Sequence, residues 1–525
     1  MRGHVALILH AHLPFVRHPE HERFLEESWL YEAITETYLP LLSVARGWRR
    51  DGIPVRLSLT LSPTLCAMLQ DDLLRRRFDR HLATLVELAH RETYRTAWEP
   101  AFRDLGSFYH HRFEDLYTLW QTTGGDLVGA FRELQDAGIL EIITTGATHG
   151  LLPLFAGHPS SIKGQIQTAR DDYRRCFGRD PAGIWLPECA YLNGLDGHLK
   201  EAGLRWFIID THGLLRSQPR PRFGVFAPVI TPAGLAAFGR DLESAQQVWS
   251  RHAGYPGDPR YRDFYRDIGF DLEFDYVRPA LPSPDRRGFT GIKYHRIATG
   301  PNGEKAPYRR DEALRAADEH ATHFLRARID QSARLAQILE RPPVIVCPYD
   351  AELFGHWWYE GPEFLDLLVR KAAGAPDSLV LNSPSAYLHD HPVQQVAAPA
   401  DSSWGEEGFY RVWLNETNEW ILPHLDVAMG RMHDLAQRFT DPNPIQRRAL
   451  NQAARELLLA QASDWPFIMR TGTSPAYARE RVTDHLLRFI ELHEQLTTTR
   501  IEEHRLALIE STDPVFPHLD YRNWA

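Results

Sequence analysis

Three short stretches of this chain gather residues that can do chemistry. The first is His10-Ala11-His12-Leu13-Pro14, which closes an apolar run starting at His4. Side chains two apart on a strand share a face, so His10 and His12 point the same way. Two imidazoles on one face suit a metal site, and they equally suit a site that hydrogen-bonds sugar hydroxyls. The second is Trp185-Leu186-Pro187-Glu188-Cys189-Ala190-Tyr191, where an acid closes a buried run between rings. The third runs from Cys347 to Gly361 and brings Asp350, Glu352, Glu360 and His356 together with Tyr349, Trp357 and Trp358. Two carboxylates on different strands, among rings that cover sugar faces, can cleave a glycosidic bond with retention when they stand about 5–5.5 Å apart. Glu188 and Asp350 are the pair.

Such groups need a frame. Apolar runs recur at 4–12, 55–63, 139–150, 183–191, 205–213, 234–241 and 343–355, with a weaker one at 378–384. Helical patterns such as 33–49 and 162–178 lie between many of them. Continuous apolar runs alternating with helices predict buried parallel strands in βα units. About seven units predict an α/β barrel, whose working residues sit at the C-terminal strand ends. His10, His12, His149, Glu188, Asp210, His212, Asp241 and Asp350 fall there. Residues 84–138 read as a helical insertion and 243–300 as a long functional segment inside a catalytic barrel domain of 1–400. Residues 401–525 carry amphipathic helices and read as a C-terminal helical domain.

The bulk properties narrow the partners. The chain has 525 residues and a net charge of −10, which argues against nucleic acid and anionic membrane surfaces. Four cysteines without a C-x-x-C pair argue against a disulfide framework or a thiolate zinc site. The N-terminus leads straight into a strand, so a cytoplasmic chain is expected. A monomer is the expected state. Fourteen tryptophans are many; those in Gly-rich loops are read as binding residues and the others as core.

The stretches 10–14, 146–154, 185–191, 348–358 and 460–468 resemble, in order, the five motif regions of glycoside hydrolase family 57, across nearly the whole chain. Within it, segments 255–271, 402–420 and 516–524 resemble the 1,4-α-glucan branching members. The resemblance implies a distorted (β/α)7 TIM-like barrel, a small helical insertion and a C-terminal helical domain. It implies Glu188 as nucleophile and Asp350 as general acid/base. It implies His10, His12, His149 and Asp464 as sugar-binding residues, with Trp404, Trp413 and Trp29 lining the glucan groove and Arg266 holding an acid. Trp357 joins the substrate-binding set from its place in the third stretch. No cofactor and no metal are expected; the partner is an α-1,4-glucan. Characterised members are discussed with a tyrosine on a mobile loop. The corresponding stretch here, roughly 228–245, has Phe238 and no tyrosine. An α-amylase or 4-α-glucanotransferase of the same fold is the nearest alternative. A metal-dependent sugar deacetylase is more distant, since 62–70 offers no histidine and the His18–His21 pair reads as solvated loop. A non-catalytic glucan-binding protein ranks last.

Overall fold

A computed structural model describes residues 2–250, 254–298 and 305–525. Its strands are β1 (Gly3–Ala11), β2 (Leu57–Leu61), β3 (Leu140–Ile143), β4 (Gly183–Trp185), β5 (Trp206–Ile209), β6 (Val229–Ile230), β7 (Ala236–Gly239), β8 (Val344–Asp350), β9 (Leu379–Leu381) and β10 (Gln395–Val396). Two parallel ladders, β3-β2-β1-β8 and β4-β5-β7, are joined at both edges. At one seam the Trp185 amide donates to the Thr144 carbonyl at 2.9 Å; at the other the Asp241 amide donates to Val346 at 2.9 Å. Seven parallel strands therefore run in a ring: β1, β2, β3, β4, β5, β7, β8. At its N-terminal end β1 also pairs with β9, and β7 pairs with the antiparallel β6, which carries β10.

Both faces of these strands are buried, which is why the sequence shows apolar runs rather than alternation. One parity (Ala6, Ile8, Trp185, Trp206, Ile208, Phe238, Val344, Val346) fills the barrel. The other (Val5, Leu7, Leu9, Leu57, Leu59, Phe207, Ile345) packs under the helices. The same period of two puts His10 and Asp350, in-register partners across β1 and β8, at the top of the interior layer. Phe238 is wholly buried inside β7. The stretch 228–245 is thus the β6–β7 hairpin and the start of the helix Leu242–Trp249, not a loop over the mouth.

Between β2 and β3 lie α3 (Pro63–Gln70), α4 (Asp72–Arg95), α5 (Arg103–Thr122) and α6 (Leu127–Asp136); before β2 come α1 (Ser28–Ala33), a π-turn (Ile34–Tyr38) and α2 (Leu39–Arg50). The excursion is the α4–α5 pair; α6 packs back on α2 and β3 as a crossover helix, so the expected 84–138 insertion mixes two kinds of helix. The described part of the 243–300 segment is pinned to α4, where buried Glu92 accepts from Tyr276 and Tyr294, each at 2.8 Å; residues 251–253, 299 and 300 of it lie outside the described residues. Residues 402–420 contain no helix longer than a single turn, and Ser402 bridges back to Tyr191. Five helices follow from Ile421 to Thr512. The helix Pro444–Ala460 starts at a reciprocal Asn443–Gln446 capping box. No described helix is long and apolar enough to cross a membrane, and all four cysteines are free and buried.

Candidate active site

Each strand of the ring delivers a polar group to one mouth. These are His10 and His12 (β1), Ser62 (β2), His149 (after β3), Glu188 (after β4), Asp210 (β5), Arg240 (β7) and Asp350 (β8). Glu188 and His149 both sit in left-handed backbone, with φ of 61° and 57°. That conformation is uncommon for residues with a Cβ and clusters at functional sites.

The helical part of the chain completes the site. Trp404 Nε1 donates to Glu188 Oε2 at 2.8 Å and Ser463 Oγ donates to Glu188 Oε1 at 3.1 Å. His149 Nδ1 meets Ser463 Oγ at 2.9 Å, and its Nε2 meets His10 Nε2 at 3.0 Å. An ionised Glu188 only accepts, so the chain has one direction: His10 N–H to His149, His149 N–H to Ser463, Ser463 O–H to Glu188. Burial, then neighbouring imidazole charge, holds the pKa of His10 and His149 well below the usual value. His12 differs. Its Nε2 lies 3.1 Å from Asp464 and its Nδ1 2.9 Å from Ser62 Oγ. Burial opposes its charge, but Asp464, Glu352 and Glu188 outweigh burial and raise its pKa.

The two carboxyls live in contrasting surroundings. Burial, with a smaller push from Asp464, moves Glu188 up to about 7 against the pull of its two donors. The Asp350 carboxyl has no hydrogen-bond partner among the described residues. Burial first, then the charges of Glu352 and Glu188, push it well above the usual carboxylate range, with Arg240 opposing. Glu352 is itself fixed by Tyr38 O–H at 2.5 Å and the His12 amide at 3.2 Å. One carboxylate is solvated by protein donors and the other is kept as an acid, the division a nucleophile and a general acid need.

The π-turn serves this wall. It aims Tyr38 at Glu352 and Glu36 at His356 Nδ1 (2.6 Å) and Arg262 (3.0 Å). Gly355, with φ of 121°, lies so close that a Cβ would sit 1.9 Å from the Glu36 carbonyl oxygen. Gly355→Ala is therefore expected to cost about 3 kcal/mol, from backbone strain and a clash that only backbone movement relieves. Gly52, with φ of 64° and open space around it, is the control and should cost about 1–2 kcal/mol. Thermal unfolding of both alanine variants checks the difference.

Of the expected residues, His10, His12, His149, Glu188, Trp404 and Asp464 form one hydrogen-bonded or stacked cluster, and Asp350 is His10's neighbour on β8. His10 lies beneath the others, 3% exposed and stacked 4.5 Å from the Trp185 ring. Trp357 is 56% exposed and stacks on Phe264 at 4.5 Å. Trp29 is half-buried, edge-on to Tyr477. One expectation is corrected. Trp413 is 3% exposed and fills the space behind Gly405, so it supports the wall rather than lining the groove. Arg266 does hold an acid, the partly exposed Asp271, at 3.0 Å. Two lesser readings also change: Asp241 pairs with buried Arg328 at 3.1 Å, and His18 is buried against the Tyr477 hydroxyl at 2.8 Å.

His12, His149 and Asp464 place ligand-type atoms within 4.8 Å of one another. However, the His12 and His149 rings are stacked, 4.1 Å apart and 18° from parallel. Their lone pairs run side by side instead of converging on one point, so the donor set fits a metal ion poorly.

A parallel barrel with two partly buried carboxyls and a row of imidazole edges at its mouth is the frame of a carbohydrate-cleaving enzyme. The chain belongs to glycosyl hydrolase family 57, whose model matches residues 6–399. Residues 424–524 match the model of the 1,4-alpha-glucan branching enzyme C-terminal region. A 1,4-alpha-glucan branching enzyme of Thermococcus kodakarensis is 32% identical over 98% of this chain and 77% of its own. The α-amylase AmyC of Thermotoga maritima superposes with a TM-score of 0.94 at 43% identity, covering 100% of this chain and 99% of that one. A family 57 branching enzyme of Pyrococcus horikoshii superposes with a TM-score of 0.89 at 31% identity, covering 100% and 97%.

Proposed function

We propose that this chain is a 1,4-α-glucan branching enzyme acting by a retaining double displacement. Glu188 attacks the anomeric carbon of an α-1,4 bond and holds the donor chain as a glycosyl ester. Asp350 gives its proton to the leaving glucan oxygen, then takes the proton of an acceptor 6-hydroxyl as that oxygen displaces Glu188. The product is an α-1,6 branch. The observation that carries this reading is the contrast between a doubly hydrogen-bonded Glu188 and an unpartnered, raised Asp350. His12, Asp464 and His149 orient the donor sugar. The C-terminal match to branching enzymes supports transfer to a 6-hydroxyl as the outcome. Transfer needs a glucan to reach the ester before water does, and Trp404, Trp357 and the 243–300 segment are assigned to that exclusion. Four free, buried thiols support a reducing compartment, so we place the reaction in the cytoplasm with glycogen as its glucan, and the chain as a monomer.

One observation favours a second reading. The likeness to AmyC, described as an α-amylase, is high, and the same two carboxyls would hydrolyse the ester if water arrived first. Amylose treated with the enzyme separates the two. Branching gives new α-1,6 anomeric proton signals and a shorter chain-length profile after debranching, with few new reducing ends. Reducing ends rising in step with bond cleavage, and no α-1,6 signal, reject branching in favour of hydrolysis.

A further inference from the structure

Arg240 belongs to none of the motif regions, yet it stands at the end of β7 in the ring of strand-end groups. Its backbone is fixed on both sides: its amide donates to Ile209 at 3.0 Å, and its carbonyl accepts from Thr211 Oγ1 at 2.7 Å. Among the described residues its guanidinium makes one hydrogen bond, a long one from Nη1 to Asp210 Oδ2 at 3.4 Å, and Asp210 is shared with His212 Nδ1 at 3.3 Å. Its Nε is buried without a partner. A structural arginine would be expected to fork onto a carboxylate with two short bonds; this one leaves much of its charge uncompensated. The guanidinium carbon lies 5.7 Å from the centre of the Trp404 ring, within cation–π reach. Trp404 in turn donates to Glu188. The loop carrying Trp404 is tied to the same corner, because His212 Nε2 donates to the Gly408 carbonyl at 2.9 Å.

We propose that Arg240 is a positioning residue of the reaction centre: held by Asp210, it supports the Trp404 indole, and through it the hydrogen bond that fixes Glu188, while its charge stands at the end of β7, the strand seamed to the one that carries the acid/base Asp350. The inference rests on the two-carboxylate reading above. The groups around the pair are few enough to separate its effects. Asp350 feels Glu352 on its own turn, Glu188 from the β4 end and Arg240 from the β7 end. Glu188 feels Trp404, Asp464, Ser463 and His12. Removing the cation leaves Asp350 to rise further, which moves the alkaline limb of activity upward. Freeing Trp404 weakens a donor to ionised Glu188, which moves the acid limb upward as well.

The test uses the full chain on amylose and counts iodine-colour loss and new reducing ends together, so that transfer and hydrolysis both register. Arg240→Gln is expected to lower kcat at least about ten-fold, with KM within about two-fold, and to shift both limbs of the pH profile upward by about half a unit or more. Arg240→Lys keeps the charge but not the planar face. It is expected to retain the wild-type alkaline limb while still losing kcat. An Arg240→Gln enzyme with unmoved limbs overturns the proposal, as does one in which KM rises and kcat stays. If Arg240→Gln fails to fold, Arg240→Lys and Asp210→Asn decide: unmoved acid limbs in both reject the role. A Glu188→Gln enzyme that still cleaves amylose would instead remove the two-carboxylate reading itself, whatever Arg240 does.

Discussion

Glu188→Gln is expected to lower amylose conversion by about four to six orders of magnitude, the loss typical of removing a covalent nucleophile. The substitution keeps the volume and the acceptor oxygen but removes the charge. Trp404 Nε1 can still donate to the amide oxygen, so folding and glucan binding should change little. KM should stay near the wild-type value while kcat collapses. A second readout is independent of rate. Wild-type enzyme quenched in acid during turnover should carry a glycosyl adduct on the peptide containing Glu188, and the variant should carry none. Conversion within ten-fold of wild type would falsify the assignment.

Asp350→Asn is expected to cost about two to four orders of magnitude, the span of a lost general acid/base. The deficit should depend on the leaving group. Amylose needs a proton on its departing oxygen, whereas an α-maltosyl fluoride does not, so the fluoride should recover most of the first step. The alkaline limb of the wild-type profile should vanish, because the group that must remain protonated is gone. The sign follows from Asp350's surroundings: burial and the charges of Glu352 and Glu188 favour its neutral form, so the wild type should stay active well above the pH at which an ordinary aspartate ionises. Equal losses on both donors, with the alkaline limb intact, would move the proton-donor role elsewhere.

How much of this was legible in the sequence differs between frame and site. The seven ring strands stand within the seven main apolar runs, because strands buried on both sides must be apolar throughout. β6 and β10, two residues each, carry no such signal. Glu188, Asp350 and the three histidines close those runs, where chemistry-bearing side chains interrupt an apolar pattern. Ser62, Ser463, Tyr38 and Arg240 were missed. Each is an ordinary residue type whose role comes from what it meets: Ser463 matters only because Glu188 and His149 lie on either side of it. The family resemblance places Trp413 in the groove, yet Gly405 leaves a space that its ring fills. The resemblance gives Arg266 an acid to hold without naming it, and the structure supplies Asp271, five residues further on.

The hydrogen bonds that complete Glu188 come from far along the chain, Trp404 at 216 residues and Ser463 at 275. At roughly 5–20 residues per second of synthesis, Glu188 leaves the ribosome tens of seconds before Ser463 does. Once Asp350 and the last ring strand have followed, a nascent barrel has its strands and both acids but neither donor on Glu188, and nothing over His12. It should be silent toward glucan until the helices dock. Catalytic competence therefore reports on complete folding, and an unfinished chain cannot nick the polymer it is made to build.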